Sequence, residues 1–122
     1  MTTGQGTQGM NGAKDAQVNA FQREMDASMA QMMRAMHGPG YAGHPDIDFL
    51  AMMIPHHAGA VDMARLVLQH GRDPATRQLA EEIIAGQTIE IESMTRRLSA
   101  LRQRPSAGAA AEFPSLGGTR GP

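Results

Sequence analysis

The sequence contains no cysteine and no tryptophan, and only one tyrosine and three phenylalanines among 122 residues. Without cysteine there are no disulfides, no thiolate metal centre and no cysteine nucleophile. With so few aromatics, any core must be aliphatic or rich in sulfur. Neither sign of charge is in excess: 11 Lys and Arg face 12 Asp and Glu, a formal net charge of −1. The basic excess of a nucleic-acid or anionic-membrane binder is therefore missing. No apolar run approaches the ~18 residues of a membrane span. The opening Met1-Thr2-Thr3-Gly4-Gln5-Gly6 lacks the basic and apolar regions of a signal peptide. Alternating β-branched runs are absent too, so nothing reads as a strand.

What the chain has instead is methionine. Its 11 Met outnumber seven Leu and six Ile, although Met is ordinarily a minor gap-filler in cores. A skew of this size suggests that the sulfur atoms themselves matter, and five His strengthen that reading.

Glycine marks the organisation. Seven of the 14 Gly lie within residues 1–45 and four within 105–122, leaving Gly59, Gly71 and Gly86 between. Residues 1–13 read as a disordered lead and 105–122 as a flexible tail, both too poor in apolar residues to build a core. The domain between them, 14–104, reads as three helices. The first runs from about Asp15 to Met36 or His37 and stops at Gly38-Pro39-Gly40. The second starts near Pro45-Asp46, with Asp46 the candidate N-cap, and ends at His70 with Gly71 as C′ residue. The third opens on Asp73-Pro74, an N-cap followed by proline at the first helical position, and ends before Pro105. The expected fold is all-α, an antiparallel bundle of three long helices with disordered N- and C-terminal tails.

The second helix carries two seams. Leu50, Ile54, His57, Val61, Ala64 and Leu68 form one; Phe49, Met52, His56, Met63, Val67 and His70 form the other, and two apolar seams imply two neighbours. Pro55 should bend this helix. The third helix presents Ile83, Ile84, Gln87, Ile91, Met94, Leu98 and Leu101, and the first presents Val18, Phe21, Met25, Met29, Met32, Met33 and Met36. Folding the third helix back about Gly71-Arg72 brings 56 level with about 87 and 52 with about 91, which sets His56 and Met52 beside Gln87, Glu90 and Met94. Folding the first back about Tyr41 brings 54 level with about 29, which sets Met25 and Met29 beside Ile54 to His57. Met and His from three helices are thus expected at one height.

Thioether sulfur is a soft, neutral ligand and imidazole a borderline one. Together, without cysteine, they favour Cu(I) and by the same softness Ag(I), whereas Cu(II) and Zn(II) prefer more His and carboxylate. The candidate metal ligands are His56, His57, Met52, Met53, Met63, Met94, Met25, Met29, Met33, Met36 and His37, with Gln87 and Glu90 bracing the histidines. His56 and His57 point about 100° apart, so one binds more readily while the other braces.

The segment from Asp46 to Ala64, with Met53-Ile54-Pro55-His56-His57 at its centre, resembles the signature of the CopM-like family, long listed as a domain of unknown function. Leu79-Ala80-Glu81-Glu82-Ile83-Ile84, then Gln87, Glu90-Ile91 and Met94, resemble its second block. The resemblance covers about residues 46–101; residues 14–37 share only their richness in Met. It implies a ferritin-like helical bundle, export to the periplasm or another extracytoplasmic place, and copper or silver binding in support of copper tolerance. Its motif positions fall here on Met53, His56, His57, Met63, Gln87, Glu90 and Met94.

The expected function is therefore a non-enzymatic protein that binds Cu(I) for buffering, trafficking or tolerance, with a copper-handling protein as candidate partner and homo-oligomers open. No Glu-x-x-His occurs anywhere, which disfavours a di-iron oxidase on a ferritin-like bundle. The competing reading is a Met-rich helical interaction module, its Met stripe serving as core or docking surface.

Overall fold

The computed structural model describes the backbone of residues 2–104 and the side chains of residues 12–104 other than 14 and 17; Met1 and the expected tail 105–122 lie outside the described residues. Among the described residues three helices follow in order: α1 Thr2–His37, α2 Pro45–His70 and α3 Pro74–Gln103. No strand occurs among the described residues. The all-α architecture expected from the periodicity is thus the observed one. Its first helix begins at Thr2, upstream of the start near Asp15 that composition suggests.

The helix ends follow from local chemistry. Asp73 caps α3, its carboxylate accepting from the Thr76 amide at 2.9 Å and the Thr76 hydroxyl at 2.7 Å, with Pro74 at the first helical position. These two bonds, the hydroxyl's first, hold the Asp73 carboxyl below its usual range. The start of α2 differs from expectation. His44 is the N-cap residue and makes no side-chain cap bond, and Pro45 opens the helix. Asp46 does not cap it. The acid that works here is Asp48, whose carboxylate takes the amides of Ala42 at 2.7 Å and Gly43 at 3.2 Å and so ties down the incoming loop. Gly71 does close α2, but at φ −80°, so it is not the left-handed C′ glycine expected. Space explains the residue: a Cβ there would meet the Val67 carbonyl oxygen at 2.7 Å.

α2 is the middle element. It packs against α1 on one side and α3 on the other, and α1 and α3 make no backbone approach to each other. The two neighbours implied by two seams are both present, and the antiparallel bundle they form is an open layer, with α1 and α3 apart. The α3 side of α2 is the seam that holds His57, Val61 and Ala64, all buried. The α1 side is marked by Gly59, where a Cβ would lie 2.7 Å from Met32 Cγ, and by His70, which reaches Glu24. At 100° per residue these faces lie nearly opposite each other. The helix runs unbroken through Pro55.

Candidate metal-binding face

The two helix interfaces are each pinned by a histidine–carboxylate pair. Between α2 and α3, His57 Nε2 meets Glu90 Oε1 at 2.6 Å while its Nδ1 bonds the Met53 carbonyl oxygen at 3.0 Å. Both ring nitrogens of His57 face oxygen acceptors and the ring is buried. Held by both contacts, His57 braces α2 against α3. Between α1 and α2, His70 Nε2 meets Glu24 Oε1 at 2.6 Å, and the His70 ring stands edge-on to Phe21 with centroids 5.7 Å apart. His70 and Glu24 were not site candidates in the sequence. The signal for them was a carboxylate lying among the apolar residues of the first helix.

His56, one residue on from Pro55, has the opposite environment. It is exposed, and its one described interaction is a tilted ring contact with His57 at 6.0 Å. Its nitrogens are free of the bonds that occupy its neighbour.

The register between α2 and α3 is close to the expected one, since His57 opposite Glu90 lies within a turn of the forecast alignment. The register between α1 and α2 is not. Gly59 lies over Met32 and Phe21 beside His70, which shifts α1 by about two turns against α2 relative to a tight turn at Tyr41. The physical reason is the linker 38–44, whose glycines at 40 and 43 have positive φ of 68° and 89°; it runs along the helix axis before α2 begins. Met33 and Met36, and not Met25 and Met29, therefore come level with Ile54 to His57.

The layer has two unlike faces. On one, the cleft between α1 and α2 is lined by Glu24, Gln31, Asp62 and Arg65, and α3 contributes Gln78, Glu81 and Glu82. On the other, an open cleft of about 780 Å³ is lined by Val18, Phe21 and Gln22 of α1 with Val67 of α2, and Phe49 of α2 meets Arg97 and Leu101 of α3 at the far end. Stepping 100° per residue from these markers puts Met25, Met29, Met33 and Met36 on the second face, together with Met53, His56 and Met63 of α2 and Gln87, Glu90 and Met94 of α3. Met52 turns toward α1, and His37 is the exposed last residue of its helix. Met29 and Met33 are 41% and 48% exposed; Met25, Met36, Met53, Met63 and Met94 are half-buried. Among the described residues no three His, Asp or Glu side chains gather as a metal-holding group.

An open antiparallel three-helix layer with most of its described methionines on one face defines an all-helical protein with no helix, among the described residues, long and apolar enough to cross a membrane. The chain belongs to the DUF305 family, a domain of unknown function, whose model matches residues 1–98 and also 46–119. Residues 46–98 thus align with it in two overlapping matches. An uncharacterised protein of Acanthamoeba polyphaga mimivirus is 41% identical over 49 residues, 40% of this chain and 32% of that protein. The match spans about a third of that relative's length.

Proposed function

We propose that this chain binds a soft monovalent cation, Cu(I) and by the same chemistry Ag(I), on the methionine-lined face of the helix layer, and that it serves copper buffering, trafficking or tolerance outside the cytoplasm. The CopM-like resemblance of the Met-Ile-Pro-His-His segment supplies the physiological setting and the location. The observation that carries the chemistry is the gathering of thioethers on one face, with Met33 and Met36 brought level with an unengaged His56. Thioether and imidazole donors without thiolate or clustered carboxylates suit Cu(I) over Zn(II). His56 is the nitrogen ligand in this reading, with Met33 and Met36 of α1, Met53 of α2 and Met94 of α3 as the sulfur ligands. His57 and Glu90 hold the α2–α3 interface beneath them. No reacting group is required, and the protein is not an enzyme on this reading.

A second reading, a docking module for another protein, is favoured by exposed Phe49 and Leu79 bordering the same face. An anaerobic competition titration against a chromogenic Cu(I) chelator separates the two, with Zn(II) in parallel. Wild-type protein is expected to compete for Cu(I), and His56→Ala and Met33→Leu/Met36→Leu to lose at least tenfold in affinity while staying helical. Leucine keeps the volume of methionine, so the second variant isolates the sulfur. Absence of Cu(I) binding in folded wild type, or affinity unmoved in both variants, refutes the cation reading.

A further inference from the structure

We infer that the apolar face of the helix layer is a self-association surface, and that its occupant is a second copy of this chain packed face to face.

The first ground is area. Val18, Met29, Met33, Phe49, Leu79 and Ile83 stand on this face, each 41–59% exposed. At about 200 Å² for a large side chain they leave roughly 600 Å² of apolar surface in water, the upper end of what a monomer tolerates. A standard interface buries about 800 Å² per partner, and the half-buried Met25, Met63 and Met94 between these residues supply the remainder.

The second ground is what lies beneath. The apolar residues buried in the described chain are Val61, Ala64, Ala80 and Leu98, two of them alanines, and no large side chain is fully buried. Because α1 and α3 do not close over α2, nothing among the described residues forms a second layer for this one to pack on, and stable domains are built from at least two.

The third ground selects the occupant. The face carries a few scattered charges: Asp15 and Asp26 fall on the Met33 stripe of α1, Glu90 is paired with His57, and Arg97 lies at the edge beside Phe49 and Leu101. The opposite face bears Asp62, Arg65 and Glu81. Scattered charge of both signs selects no strongly charged partner, and a net charge of −1 leaves two copies with little mutual repulsion. Two identical apolar faces related by a two-fold axis are self-complementary.

The test is the mass of the full chain in solution, by light scattering after size exclusion, in a buffer with a Cu(I) chelator so that the result is independent of metal. Wild type is expected at twice its 13.0 kDa chain mass. Leu79→Glu/Ile83→Glu, at exposed positions on the face, is expected at the monomer mass with its helical circular dichroism retained. Glu81→Arg, on the opposite face, is expected to remain dimeric. Should the first variant lose its helicity, Phe49→Glu, on a different helix, decides in its place. A monomeric wild type overturns the proposal and leaves the face to another occupant. A dimer that survives both the Leu79/Ile83 and the Phe49 changes overturns it as well. The two tests are read separately: this one is run without metal, and the metal titration decides the cation reading, whose ligand Met33 would then lie within the dimer interface.

Discussion

At the scale of the residue, the two adjacent histidines carry the clearest contrast. One helical step turns a side chain by about 100°, and that is enough to bury His57 against α3 and leave His56 in water. His57 makes two hydrogen bonds on a buried seam, so His57→Ala removes both and opens a void. The expected cost is about 2 kcal/mol, moderated because the Glu90 side chain is 59% exposed and regains water once its partner is gone. His56→Ala touches nothing that holds the fold and should stay within about 0.5 kcal/mol of wild type. Urea unfolding of the two variants measures the difference; equal losses would show that the division of labour is wrong. This pair was partly legible in the sequence. The 4-3 spacing of Leu50, Ile54, His57 and Val61 puts His57 on a packing seam, and antiparallel folding about a two-residue turn brings Glu90 near it. The spacing left open that both ring nitrogens would be consumed, because the bond to Met53 depends on a rotamer and not on register.

The elements show where sequence reasoning holds and where it stops. Helix ends with a chemical marker were readable: Asp73-Pro74 caps α3 as its residues demand. The packing of α1 on α2 was not, because the linker 38–44 could be read as a tight turn or as a strap, and glycine permits either. The marker that fixes the true register is Gly59, an isolated glycine inside a long helix. Its backbone lets Met32 of α1 approach so closely that an added Cβ would come 2.7 Å from Met32 Cγ and 3.0 Å from Met32 Cβ. Two effects oppose each other in Gly59→Ala. Alanine gains up to about 1 kcal/mol of helix propensity, while forcing α1 away or Met32 off its rotamer costs about 1–3 kcal/mol. The contact includes Met32 Cβ, which cannot swing aside, so the cost should win and the variant should be net destabilised. Combining it with Met32→Ala removes the Cγ contact and leaves only Met32 Cβ at 3.0 Å, so part of the loss should be recovered. The double-mutant cycle then shows a coupling of about 1 kcal/mol or more; strictly additive effects would mean that the two helices do not meet at this point.

For the whole molecule, stability is the property the open layer leaves unexplained by its own core. Among the described residues four small or medium apolar side chains are buried, which is little hydrophobic burial against the conformational entropy of three ordered helices. If a second copy covers the apolar face, folding and association are linked. The native dimer then gains by mass action as protein concentration rises, whereas a self-sufficient monomer does not. The thermal midpoint of wild type should therefore climb by several degrees across a hundredfold range of concentration, a change of about 2.7 kcal/mol in the concentration term read through the few degrees per kcal/mol typical of a small domain. In Leu79→Glu/Ile83→Glu the midpoint should be lower and flat with concentration. Differential scanning calorimetry on both proteins, with Cu(I) excluded, distinguishes the cases. A flat wild-type midpoint would mean that the helices of one chain suffice. The exposed methionines would then have to be accounted for by something that touches the face only in passing, as a diffusing metal ion does, and not by a permanent neighbour.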